Sequence, residues 1–188
     1  MRFSRQSALT CLLSLCLTLL SATASAQTYL GVSGGKMSTN LSCKNSCQTS
    51  ASNLRLYAGA DLNSNWSIES QLHTSGELKG TFSSAGQYAN ATVTTKAIDL
   101  TAMYRWRMND RFALFSRAGL TYTISDVKNT STSSSSRYKS LKPIVGAGLA
   151  YAITPLTYLR GELDIKQARV DGRNTTITGF GIGIQSAF

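Results

Sequence analysis

His73 is the one histidine of the 188-residue chain, and it stands in the run His73-Thr74-Ser75-Gly76-Glu77. A histidine beside a hydroxyl and a carboxylate is the minimum set for a base that activates a nucleophile. Cys43 and Cys47, in Cys43-Lys44-Asn45-Ser46-Cys47, are a second candidate pair, close enough to form a disulfide in an oxidising compartment. Zinc would require about four ligands; the other two cysteines, Cys11 and Cys16, fall in the apolar N-terminal run, and no histidine cluster accompanies the pair. Glycines at 146 and 148, and at 179, 181 and 183, could be taken for a phosphate cradle. No helix pattern follows them, which removes the amide terminus that holds the phosphate in such loops. No metal or cofactor is expected.

The elements that must position these residues are strands. From Thr178 to Phe188, Phe180, Ile182, Ile184 and Phe188 share one parity, opposite Gly179, Gly181, Gly183 and Gln185. That is the two-residue period of a strand with one greasy face. The same alternation recurs from Tyr29, from Leu54 to Leu62, from Trp66 to His73, from Ile98 to Trp106, and from Leu114 to Ile124. It recurs again from Ile144 to Tyr151 and from Tyr158 to Lys166. The spacing predicts an all-β, eight-stranded antiparallel up-and-down barrel. Polar stretches at 38–53, 74–90, 125–139 and 167–175 read as long loops, whereas Asn63-Ser64-Asn65, 107–111 and Thr154-Pro155 read as short turns. Alternating long and short connections, with Trp66 and Trp106 beside the short ones, fit a transmembrane barrel with aromatic girdles. A water-soluble binding barrel has no need of aromatics there.

The N-terminus agrees. Residues 1–26 carry Arg2 and Arg5, an apolar run from Ala8 to Leu20, and Ala24-Ser25-Ala26, the layout of a cleaved export signal. Residues 27–188 are then a single barrel domain in the outer membrane of a Gram-negative bacterium. The net charge of +10 calls for an anionic partner. Nucleic acid is excluded by the compartment and by the lack of a basic helix with interleaved aromatics. Membrane lipid and the phosphates of lipopolysaccharide suit an exported chain, as does an acidic ligand on a host surface.

Parity also sorts the charges. Arg55, Arg105, Arg117, Arg160 and Lys166 share the polar face with Asp61, Glu69, Asp99, Glu162 and Asp164. Charges inside a narrow lumen persist only when paired. The excess cations therefore belong to the loops, chiefly Lys128, Arg137, Lys139, Arg169 and Arg173, with Asp126 and Asp171 the only acids nearby.

The segment Val145 to Leu163, VGAGLAYAITPLTYLRGEL, together with LTAMYRW at 100–106, FALFSRAGL at 112–120 and the terminal Phe188, resembles the OmpA-like transmembrane barrel family. The likeness implies a monomeric eight-stranded barrel and places Glu69, Arg117, Arg160 and Glu162 in an interior network of acids and bases. Met103 and Ala150 depart from the family's interior pattern of charges. A chain ending at Phe188 is expected to lack the periplasmic domain of many relatives. The implied role is structural, with four outer loops for surface contact, and eight strands are too few for a large porin channel. The alternative is a lipid A deacylase, since such enzymes also resemble this chain in carrying a histidine and serine pair on an eight-stranded barrel. Here parity points His73 and Ser75 into the lumen, so no catalytic residue is expected.

Overall fold

The computed structural model describes residues 27–40, 48–84, 87–129, 135–170 and 173–188. The expected export signal at 1–26 and the pair Cys43 and Cys47 lie outside the described residues. Every regular element described is a strand: β1 (Thr28–Thr39), β2 (Ser50–Asp61), β3 (Trp66–Ser75), β4 (Leu78–Ser84), β5 (Gln87–Arg107), β6 (Phe112–Asn129), β7 (Ser135–Ala152), β8 (Thr157–Val170) and β9 (Arg173–Ala187).

All pairings are antiparallel, and the sheet closes because β1 pairs with both β2 and β9. β5 pairs with β3 from Trp66–Tyr104 to Thr74–Lys96 and then with β4 from Leu78–Val93 to Ser84–Gln87. β3 and β4 are thus one wall strand interrupted at Gly76-Glu77, where the Gly76 amide donates to the Ser52 carbonyl at 2.7 Å. The result is a closed eight-stranded barrel, and closure removes the unpaired edges that neither lipid nor water tolerates well.

Outward residues form a continuous apolar belt, including Leu54, Leu56, Leu72, Ile98, Leu100, Leu120, Val145, Leu163, Phe180 and Ile182, all exposed. Aromatic contacts gather at the short-turn end. Tyr104 meets Trp66 and Trp106 edge to face at 5.0 and 4.5 Å, and Phe112 tilts against Tyr151 at 4.8 Å. The three short turns are closed by side chains. Asn63 Oδ1 accepts from the amides of Asn65 and Trp66, Asn109 Oδ1 from those of Arg111 and Phe112, and Thr154 Oγ1 from those of Leu156 and Thr157. Asn and Thr at the head of each turn supply the acceptor that such turns use.

The long connections differ from expectation. The ladder between β4 and β5 occupies most of 74–90, β6 and β7 pair up to Lys128–Ser135, and β8 and β9 pair up to Val170–Arg173. These stretches are mostly two-stranded ribbons continuing the wall. Their sequences are dominated by Ser, Thr and Asn, so no apolar alternation marks them as strands, yet Thr favours extended backbone and the ladder satisfies every second amide.

The lumen fills in layers. Nearest the short turns, Arg105 donates to both carboxylate oxygens of Asp61 at 3.1 and 3.2 Å. Tyr29, Tyr57, Met103, Phe115 and Ala187 pack next, followed by buried ions. At the long-connection end Met37, Ala51, Leu78, Val93, Ala168 and Ile177 form an apolar layer. Glycines make the aromatic layer possible: a Cβ on Gly31 would fall on the Tyr57 ring, and one on Gly59 on the Tyr29 ring.

Candidate functional site: charged lumen and basic rim

Strand alternation delivers six charged side chains to one level of the lumen: Arg55 from β2, Glu69 from β3, Arg117 from β6, and Arg160, Glu162 and Asp164 from β8. All are buried. Glu69 accepts from Arg160 Nη2 at 2.9 Å, Arg117 Nη1 at 3.0 Å, Tyr29 Oη at 3.0 Å and Gln71 Nε2 at 2.7 Å. Glu162 accepts from Arg55 Nη1 at 3.0 Å and Ser33 Oγ at 2.8 Å, and lies 3.1 Å from Arg117 Nη1 and 3.2 Å from Arg160 Nη2. Asp164 accepts from Arg117 Nε at 2.8 Å and also pairs with Arg55.

Three guanidinium groups therefore face three carboxylates, and the layer carries no net charge. Planar guanidinium forks suit such a site, because each serves two or three carboxylates at once. The Arg160 guanidinium is held between the rings of Tyr57 and Phe115, 4.5 and 4.4 Å from their centroids, a cation–π sandwich. Room for the acids comes from Gly146, where a Cβ would collide with the Asp164 carboxylate.

Glu69, Arg117, Arg160 and Glu162 are thus in direct contact. Arg55 and Asp164 complete the group, and the neutral donors Tyr29, Ser33 and Gln71 add hydrogen bonds to its carboxylates. Parity identifies each as inward-facing, but their convergence depends on the register of four strands.

A smaller group lies beside it. His73 Nε2 is 2.9 Å from Asp99 Oδ2, and Lys166 Nζ contacts the His73 ring and lies 3.9 Å from Asp99. Ser75 Oγ accepts the Thr95 amide at 2.9 Å. Both members of the His-x-Ser pair therefore face the lumen and are occupied by interior partners. Among the described residues no group of three or more His, Cys, Asp or Glu is placed to hold a metal ion.

The basic residues of the long-connection end do not sit on loops. Lys128 lies on β6, Arg137 and Lys139 on β7, Arg169 on β8, and Arg173 opens β9, its side chain outside the described ones. Nor do all remain uncompensated: Arg137 Nε donates to Asp126 Oδ1 at 2.6 Å, and this bond raises the Arg137 pKa above its ordinary value. Lys79 pairs with Glu77 at 3.0 Å. The structure adds Lys36, Lys96 and Lys142 to the same end, the first two exposed on the outer face.

A model of the outer membrane protein beta-barrel domain matches residues 9–188. The chain belongs to that family. Family membership places it in the outer membrane of a Gram-negative bacterium, in agreement with the resemblance read from its motifs. The barrel is similar to Neisserial surface protein A, with a TM-score of 0.67 and 16% identity over 86% of this chain and 97% of that one. It is also similar to Ail, the attachment invasion locus protein of Yersinia pestis (TM-score 0.58, 14% identity, 87% and 99% covered). OprG of Pseudomonas aeruginosa has the same fold (TM-score 0.60, 14% identity, 87% and 96% covered). At such identities the likeness concerns the fold alone. No curated protein matches the sequence.

Proposed function

We propose that this family member is a non-catalytic, monomeric surface barrel whose long-connection end faces the outside and binds anionic partners, first the phosphates of lipopolysaccharide and then acidic host glycans. The observation carrying this reading is the contrast in charge balance. Inside, every described arginine meets a carboxylate. At the long-connection end the described acids are Glu77 and Asp126, each engaged by one cation, against Lys36, Lys96, Lys128, Lys139 and Lys142. Such an uncancelled field attracts polyanions.

The filled layers of the lumen support a scaffold and not a wide channel, since eight strands leave an interior about wide enough for side chains. Ail, of the same fold, has been solved with the heparin analogue sucrose octasulfate, a polyanion of the class proposed here.

Replacing Lys128, Arg137, Lys139, Arg169 and Arg173 together by Ser should weaken retention on lipopolysaccharide and heparin surfaces while insertion stays intact. The wild-type signal should fall with salt, because exposed charges beyond about 8 Å are screened at physiological ionic strength. Equal retention of both proteins across a salt gradient would remove the binding claim. A change in lipid A mass on expression would restore the enzyme reading.

A further inference from the structure

Among the described residues, the ladder between β7 and β8 stops short of the ribbons that flank it. β7 and β8 pair only from Ala152–Tyr158 to Ile144–Lys166. β7 nevertheless continues back to Ser135 along β6, and β8 continues to Val170 along β9. The ladder stops next to Pro143, which has no N–H to contribute and is tolerated in sheets at edges and ladder ends. Beyond it the two strands are linked by a side chain, Ser140 Oγ accepting the Arg169 amide at 3.1 Å.

The gap holds a pocket of about 440 Å³ lined by Lys139, Ser140, Leu141, Lys142, Arg169 and Asn174. Three of these six described lining residues are cations, and none of the six is a carboxylate. It lies at the upper border of the apolar belt: Leu141 and Val145, both exposed, continue from it down the outer face of β7.

We propose that this opening between β7 and β8 is a binding site for one phosphate monoester of an outer-leaflet glycolipid head group, held by Lys139, Lys142 and Arg169, with Ser140 and Asn174 as neutral hydrogen-bonding partners. This assignment rests on the long-connection end facing outward. Lysine ammonium groups suit a phosphate as point charges, and the guanidinium as a fork. The height selects the source. A head-group phosphate sits where the belt ends, with its acyl chains on the apolar wall below, whereas a soluble glycan would meet the ribbons above.

Native mass spectrometry of the detergent-solubilised protein with bisphosphorylated lipid A, and with the same lipid dephosphorylated, tests this. The wild type should hold the phosphorylated form selectively. The Lys139→Gln, Lys142→Gln double variant should bind it at least about tenfold more weakly, the loss expected from one charge-assisted hydrogen bond, with its heparin retention less affected. Undiminished lipid A binding by that variant overturns the site. So does loss of heparin retention with lipid A binding kept, which would assign the cations to a soluble glycan.

Pro143→Val supplies a second arm by restoring a donor. It should slow amide exchange at residues 167–169 as the ladder extends, and weaken lipid A binding by closing the gap. Slowed exchange with full binding would also overturn the assignment. The rim reading is judged separately, by the five-residue variant on heparin.

Discussion

The middle of the lumen and the rim of the barrel are both rich in arginine and lysine, and they use them in opposite ways. In the middle, Arg55, Arg117 and Arg160 are buried, each shared between carboxylates, with aromatic rings and neutral donors filling what remains. At the rim, Arg137 and Lys79 are matched and Lys36, Lys96, Lys128 and Lys139 are exposed. Desolvation is the difference. A buried guanidinium without a carboxylate would cost several kcal/mol, so the interior can hold only balanced charge, whereas exposed cations cost little and keep a field that reaches outward.

Breaking the balance inside should have the largest effect. Glu69→Ala leaves Arg160 and Arg117 short of their shared partner, at a cost of about 3–5 kcal/mol. The temperature at which the compact, fast-migrating gel form is lost should drop sharply. An unchanged transition would mean that the interior tolerates unpaired charge and that the comparison is misdrawn.

Gly146→Ala tests the same layer without touching a charge. Its methyl group would displace the Asp164 carboxylate from Arg117, and overpacking of this kind costs about 1–3 kcal/mol. Thermal unfolding of the purified barrel reads it directly.

We propose that Cys43 and Cys47 form a disulfide; the ring it closes is so small that it would contribute at most about 2 kcal/mol by loop entropy. Reduction should therefore leave the gel transition nearly in place, and mass spectrometry of protein taken from the membrane should find no free thiol. Two free thiols would remove the crosslink.

The smallest change expected is also the one with a distinctive sign. Asp126→Asn releases Arg137 from its partner and adds to the outward field, so retention on heparin should rise while the unfolding temperature stays where it was. A fall in retention would show that the ion pair itself shapes the binding surface.

The wall of the barrel was legible because lipid outside and a packed lumen inside impose opposite demands on alternate residues. Leu54, Leu56 and Ala58 against Arg55 and Tyr57 leave no other regular structure. The ribbons were not legible, because the Ser- and Thr-rich run 125–139 carries no apolar alternation, and Lys128, Arg137 and Lys139 read as loop residues although they lie on ladders. The ionic layer was half legible. Parity marks Arg55, Glu69, Arg117, Arg160, Glu162 and Asp164 as inward, while the partnering of His73 with Asp99 and Lys166 needs the stagger of three strands. The opening beside Pro143 has one signal in sequence, the proline itself, and nothing local tells which neighbouring strand it releases.

The wiring of the ionic layer has a consequence for how the barrel enters the membrane. Arg55 and Glu69 lie on β2 and β3, and their ion-pair partners, Arg117, Arg160, Glu162 and Asp164, are on β6 and β8. A chain that inserted its strands into lipid one after another would carry Glu69 unpaired through the hydrocarbon until β6 arrived and Arg55 until β8 arrived. The cost of that passage favours assembly in which the N-terminal strands stay near the polar interface and the sheet closes as a unit, with pairing across the lumen as its final step. A truncation after β5 should consequently fail to insert at all, instead of inserting as a stable half-barrel.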